Sequence, residues 1–306
     1  ALPIYKVVTK VQELETATTL ADKYSDFDTE TLTGTTNATV DATVVSKYFT
    51  DGKLNLAGRL LVAGQTLTAT INPNGTTVIE VLLTRATYSV TLTAGKGISA
   101  VTGAGSAYYY GATITIGATV ETGYEWAGWT GSISGLSDKE TSFTLGASNV
   151  TLTANATANI YTVTLNANGG TPETQEIQAT FDKTYGTLPT VTREGYTFGG
   201  WFFTKFAAGA DIGTETAVTK DSTVKTAEDH ILYAYWTINN YKVNVSVSPA
   251  STGNVTGAGS YNFNASVTLT ATANEGYHFK NWSNTDGVVS ERSEEHTSEL
   301  QSRGLI

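Results

Sequence analysis

Three histidines, His230, His278 and His296, are the only imidazoles in the 306-residue chain, which has no cysteine. Imidazole is the side chain best placed to move protons near neutral pH and to ligate metals. Each of the three stands far from the others, with no second His or Cys at metal-ligand spacing. No Ser sits in a nucleophile-elbow pattern. Asp22, Asp26, Asp28 and Glu30 approach the alternation of a calcium loop, but the Gly at the sixth position and the Glu at the twelfth are missing. Gly103-x-Gly105 and Gly257-x-Gly259 follow strand-like runs, yet no third Gly and no helix-forming segment completes a nucleotide motif. These residues point to no catalytic site, no metal and no cofactor.

Tyr108, Tyr109 and Tyr110 are the best candidates for contact with a ligand. In an alternating strand the middle ring faces away from its neighbours, so at least one ring is expected near solvent. An exposed aromatic can stack on a sugar or fill a partner's pocket.

Composition narrows the classes further. The chain is 40% hydrophobic and 15% charged, enough to bury cores. Thr, Val and Tyr dominate its alternating runs, which is strand chemistry. A net charge of −10 argues against nucleic acid, which needs a clustered basic face. No apolar run reaches the roughly 18–20 residues of a membrane-spanning helix. The sequence contains no Met, so it is expected to be a fragment or a processed product without a signal peptide.

The organising signal is internal repetition. Tyr88-Ser-Val90, Tyr161-Thr-Val163 and Tyr241-Lys-Val243 each open a period-2 run. Each is followed 34 or 35 residues later by Gly-Tyr-x-aromatic-x-x-Trp, ending at Trp129, Trp201 and Trp282. Within each motif Tyr124, Tyr196 or Tyr277 shares a strand face with the aromatic two residues on. The Trp three further on would fall on the opposite face. A bulge at Ala127-Gly128 or Gly199-Gly200 returns it to the core side, whereas Lys280-Asn281 suits a bulge less well. All six residues, Trp129, Trp201, Trp282, Tyr124, Tyr196 and Tyr277, are expected as structural core. The joints between repeats are short, so the expectation is a monomeric semi-rigid rod about 100 Å long.

The middle segment resembles the Listeria–Bacteroides repeat, or internalin-type B-repeat. Its carriers are Tyr161 to Gly170, Tyr185-Gly-Thr-Leu-Pro189, Thr192 to Trp201 and Ile231 to Trp236. Residues 88–160 and 241–290 resemble the divergent form, which lacks the Asn-Gly-Gly and the Leu-Pro. Residues 1–87 resemble a mucin-binding-protein-like repeat through Tyr5-Lys-Val7, Asp28 to Gly34 and Asn74 to Val81. Lys10 to Ala21 departs from it, and Val11, Leu14 and Leu20 equally suit a short helix.

Residues 291–306 resemble a translated sequencing adapter. The third B-repeat (241–290, after 161–240) is therefore expected to stop near Ser290, lacking its closing strands and exposing an unpaired edge.

The resemblance implies a mainly β chain of tandem β-grasp-like modules with little helix, on the outside of a bacterial cell or in its wall. It implies a non-catalytic adhesin stalk or spacer, with an unidentified host, cell-surface or glycan ligand. The alternative is a carbohydrate-binding accessory module of a secreted enzyme.

Overall fold

The computed structural model describes residues 2–13, 24–285, 287–290 and 294–296. Leu14, Leu20 and Asp22 lie outside them. The chain divides into two compact units, residues 1–158 and 159–306.

The first unit opens with β1 (Ile4–Gln12) and β2 (Tyr24–Thr33), which pair antiparallel. Val11 is therefore in a strand, where its β-branched side chain is at home. A one-turn helix, Ala42–Val45, and a short hairpin, Phe49–Thr50 with Lys53–Leu54, precede β3 (Arg59–Leu61) and β4 (Thr77–Arg85), while Thr39–Asp41 pairs with Thr68–Thr70 between β3 and β4. The sheet order is β2-β1-β4-β3, with β1 and β4 parallel at the centre. Tyr5 and Val7 from β1 meet Ile79, Val81 and Leu83 from β4 in one core, as a period of two requires.

A single residue, Ala86, separates β4 from β5 (Thr87–Ala94). There follow β6 (Ile98–Thr102), β7 (Gly105–Tyr109), β8 (Thr113–Val120), β9 (Tyr124–Gly131), β10 (Glu140–Thr144) and β11 (Val150–Ala158). One sheet runs β7-β5-β11-β9, again with its first and last strands parallel at the centre. The other runs β6-β8-β10 and lays Ile114 and Ile116 on the core.

The second unit begins with β12 (Ile160–Asn166), β13 (Thr174–Thr180), β14 (Tyr196–Phe202) and β15 (His230–Ile238). Their order, β13-β12-β15-β14 with β12 parallel to β15, repeats the same topology. The last module holds β16 (Asn240–Val243), β17 (Gly253–Thr256), β18 (Gly259–Asn262), β19 (Thr268–Ala273), β20 (Trp282–Asn284), β21 (Gly287–Ser290) and β22 (Glu294–His296). Here β16 pairs with β18, β19 stands between β17 and β22, and β20 forms a hairpin with β21. Because β22 pairs with β19, the module runs past the expected limit at Ser290.

The chain is thus mainly β, with almost no helix. The tryptophan motif is built as its glycines require. Pairing shifts register between Trp126 and Gly128, and between Phe198 and Gly200. Both glycines have positive φ, +100° and +124°, which a residue with a β-carbon rarely adopts. The bulge turns Trp129 and Trp201 inward, to 5% and 2% exposure. In the third copy the segment before Trp282 forms no strand, and Trp282 is half-buried. Tyr124 and Tyr196 are also half-buried. Tyr277, expected in the core, is instead 59% exposed: it lies on the loop before β20, whereas Tyr124 opens β9 and pairs with β11.

Candidate functional site

Among the described residues, the polar candidates stand apart from one another, each with its own local partners. The Nε2 of His230 lies 2.8 Å from the Tyr185 hydroxyl, and its Nδ1 2.9 Å from the Glu228 carbonyl. The ring also packs against Phe203. Burial raises the Tyr185 phenol above its ordinary pKa, so it remains a neutral hydrogen-bonding partner. His278 lies on an exposed loop of another module. Asp26 and Asp28 project from β2 toward lysines: Lys10 is 3.8 Å from Asp26, and Lys47 is 2.6 Å from Asp28. Glu30 accepts from the Ser46 hydroxyl and the Lys47 amide. No group of three His, Cys, Asp or Glu that could hold a metal is found among the described residues. Gly103 and Gly257, at φ +97° and +99°, are turn positions where a β-carbon would collide with backbone.

The three tyrosines are half-buried, and each is engaged within the first unit. The Tyr108 hydroxyl donates to the Gly103 carbonyl at 3.3 Å, and its ring joins the module core. Tyr109 carries the Arg85 guanidinium over its face at 5.1 Å. Tyr110 receives Arg59 at 5.4 Å, and its carbonyl accepts from Arg85 at 3.1 Å. Burial pulls both guanidinium groups below their usual value, and for Arg85 the like charge of Arg59 adds to it.

Tyr109 and Tyr110 therefore belong to the joint between the first two modules. Ala86 donates its amide to Gly58 and accepts at its carbonyl from the Tyr110 amide, at 3.0 and 2.8 Å. The Tyr110 ring lies against Gly58, which has φ +73°. An equivalent joint forms around Asn239 in the second unit. Its amide donates to Gly195 and its carbonyl accepts from the Phe263 amide, at 3.0 and 2.8 Å. Phe263 lies against Gly195 and edge-on to Tyr196 at 6.0 Å, while Arg193 stacks on Tyr196 at 3.9 Å. Tyr110 and Phe263 occupy equivalent positions just after β7 and β18. An aromatic there, with a glycine one module back, was the available sequence signal for the joint.

The middle module explains its own Asn-Gly-Gly. Asn168 takes φ +50°, and its amide nitrogen donates to the Phe206 and Ala234 carbonyls at 2.8 and 3.0 Å. Gly170 leaves room for the Trp236 ring, whose Nε1 donates to the Ala167 carbonyl at 2.8 Å. The loop is thereby keyed to the last strand.

A cleft of about 370 Å³ is found in the last module. It lies between the segment after β16, including Ser246 and Val247, and the segment from Tyr277 to Ser283. No helix among the described residues is long and apolar enough to cross a membrane.

Residues 88–160 and 243–301 match the divergent InlB B-repeat domain, and residues 161–235 match the Listeria-Bacteroides repeat domain. A protein of Evansella cellulosilytica named as a Gly-rich membrane protein is 30% identical over 171 residues, covering 53% of this chain and 18% of that protein. Another, named as a membrane protein, is 34% identical over 103 residues, 34% of this chain and 14% of its own length. The chain thus spans less than a fifth of these relatives. The Bacillus anthracis TIE protein aligns over 76% of this chain and 51% of its own, with 9% identity and a TM-score of 0.33.

Proposed function

Because residues 88–160 and 243–301 belong to the divergent InlB B-repeat family and residues 161–235 to the Listeria-Bacteroides repeat family, we propose that this part of a bacterial surface protein is a non-catalytic spacer. The repeats are bacterial surface repeat domains; the spacer role, outside the cell or in its wall, is our reading of what they do. The observation that carries it is the joint. At Ala86 and again at Asn239, a single linking residue makes two backbone hydrogen bonds and an aromatic ring closes over a glycine. A flexible linker has no such bonds to lose. A region whose task is to carry something at a distance gains from joints that resist bending.

The non-catalytic part of the proposal is supported by the dispersed placement of His230 and His278 and by the use of the acidic residues in ion pairs. Binding of a glycan at Tyr108 to Tyr110 has less support, since these rings are committed to the module core and to the joint.

The test is display. The chain is inserted between a surface anchor and a short epitope on a bacterial cell, and antibody access to the epitope is compared with that of a fusion lacking it. The expected result is greater access with the chain present and no hydrolytic activity above background on polysaccharide or peptide substrates. Unchanged access, or a turnover that survives purification, would overturn the reading.

A further inference from the structure

In three modules the first and last strands are parallel neighbours at the centre of the sheet: β1 with β4, β5 with β11, and β12 with β15. The backbone enters each of these modules at the start of its first strand and leaves at the end of its last. One residue, Ala86, Asn159 or Asn239, then leads into the next strand. A pull along the chain therefore drags the two central strands past each other in opposite directions. The evenly spaced bonds of the parallel ladder are loaded together, and none opens until the set gives way. The outer strands, such as β2, β7, β13 and β14, lie off this line.

A side chain lengthens each ladder by one step. Parallel pairing begins at Val90 with Val150, and one residue earlier the Ser89 amide donates to the Asn149 Oδ1 at 2.9 Å. In the middle module it begins at Val163 with His230, and one residue earlier the Thr162 amide donates to the Asp229 Oδ1 at 2.7 Å. In the first module pairing ends at Val11 with Leu83. Just beyond it the Gln12 Oε1 accepts from the Thr84 hydroxyl at 2.7 Å and the Arg85 amide at 3.3 Å. Asn149 and Asp229 hold the same place in two repeats of different sequence, although both are exposed. An exposed bond adds little to a resting fold, but these bonds lie across the two strands that a pull would shear.

We propose that the chain bears tension, each of these modules resisting extension through its central parallel pair, with Gln12, Asn149 and Asp229 as latches that extend the pair. Forced unfolding is governed by the unfolding rate, so bonds that must break together count most. The inference goes beyond the spacer reading. That reading concerns reach and is tested by antibody access, whereas this one concerns load along the chain.

The experiment loads the middle module of the full chain in a force clamp. The chain has no cysteine, so two introduced thiols serve as the only handles. Ile160→Cys with Thr237→Cys pulls the start of β12 against the end of β15, along the shear direction. Ile160→Cys with Glu228→Cys pulls the neighbouring starts of the same two strands, which peels them apart bond by bond. All three positions are exposed. At equal force the sheared module is expected to survive about tenfold longer or more, since several ladder bonds must fail together. In the shear geometry Asp229→Ala should shorten the lifetime about three- to tenfold, the share of one hydrogen bond. Asp229→Asn, which keeps the acceptor, should restore it. Gln178→Ala, which removes an exposed bond from the outer strand β13 to the Thr162 hydroxyl, should leave it unchanged. Should Asp229→Ala fail to fold, the two pulling directions on the unaltered latch still decide. Equal lifetimes in the two directions overturn the proposal. So does an Asp229→Ala chain that lasts as long as its parent, or that loses no more than the Gln178→Ala chain.

Discussion

The ring of Phe263 covers Gly195 so closely that a β-carbon on that glycine would collide with it. Gly195 belongs to the tryptophan motif of one module and Phe263 follows β18 of the next, so the glycine serves a turn and a joint together. Tyr110 stands in the same relation to Gly58.

Gly195→Ala is therefore expected to act at the joint rather than in either core. The substitution meets both a positive φ of +76° and the Phe263 ring. Strain of this kind costs roughly 1–3 kcal/mol. The check is hydrogen exchange at the Asn239 and Phe263 amides, which should quicken, together with new protease nicking between Ile238 and Tyr241. Wild-type exchange at those two amides in a folded variant would count against the joint as described.

The tryptophans separate by how completely their modules close. Trp201 is 2% exposed and packed with Phe198, Val218 and Trp236, so Trp201→Ala should cost about 3–5 kcal/mol. Trp282 is half-buried in a smaller cluster, and Trp282→Ala should cost clearly less. Denaturant unfolding followed by exchange in each module measures both, and an equal cost would contradict the difference in burial.

The repeated motif and its glycine bulge were legible because they are local: a period of two broken by Gly128 or Gly200 leaves few ways to return Trp129 or Trp201 inward. The joints were not legible, because an aromatic at Tyr110 reads as strand packing until a glycine far back in the chain is placed under it. For the same reason Tyr109 and Tyr110 looked like ligand contacts. Their partners, Arg85 and Arg59, come from the preceding module, and periodicity carries no information about contacts between modules. Tyr277 was expected in the core by its period of two with Phe279, but that segment forms no strand, so the alternation does not apply there.

Asn168→Ala should loosen the loop of the middle module. It removes two donated hydrogen bonds, to Phe206 and Ala234, and takes away a residue type that tolerates φ +50°. Leaving part-buried carbonyls without a donor costs on the order of 1 kcal/mol each. Thermal unfolding should register the loss, and Asn168→Gly, which restores the backbone freedom but not the donors, should recover only part of it. Full recovery by Gly would mean that backbone geometry alone sets the cost.

Acid should loosen the N-terminal module first around Asp28. The Lys47 ammonium 2.6 Å away holds the Asp28 carboxyl below its ordinary range, and the Tyr48 hydroxyl at 3.1 Å adds to this, while desolvation opposes it. A folded value below the unfolded one means that the contribution is fully present above about pH 3.9 and is lost as pH falls through the folded value. Lys47 shows the reverse sign: its raised value keeps the pair intact at neutral pH and releases it only above about pH 10.4. Between those limits the pair ties β2 to the loop after the short helix. The groups are close to solvent, so salt should weaken the effect. Protection at Asp28 to Glu30, taken as the exchange rate relative to the intrinsic rate at each pH from pH 6 down to about pH 3, should fall in the native chain more than in Asp28→Asn, whose side chain does not titrate. Parallel curves for the two would show that the ion pair contributes nothing to the acid response.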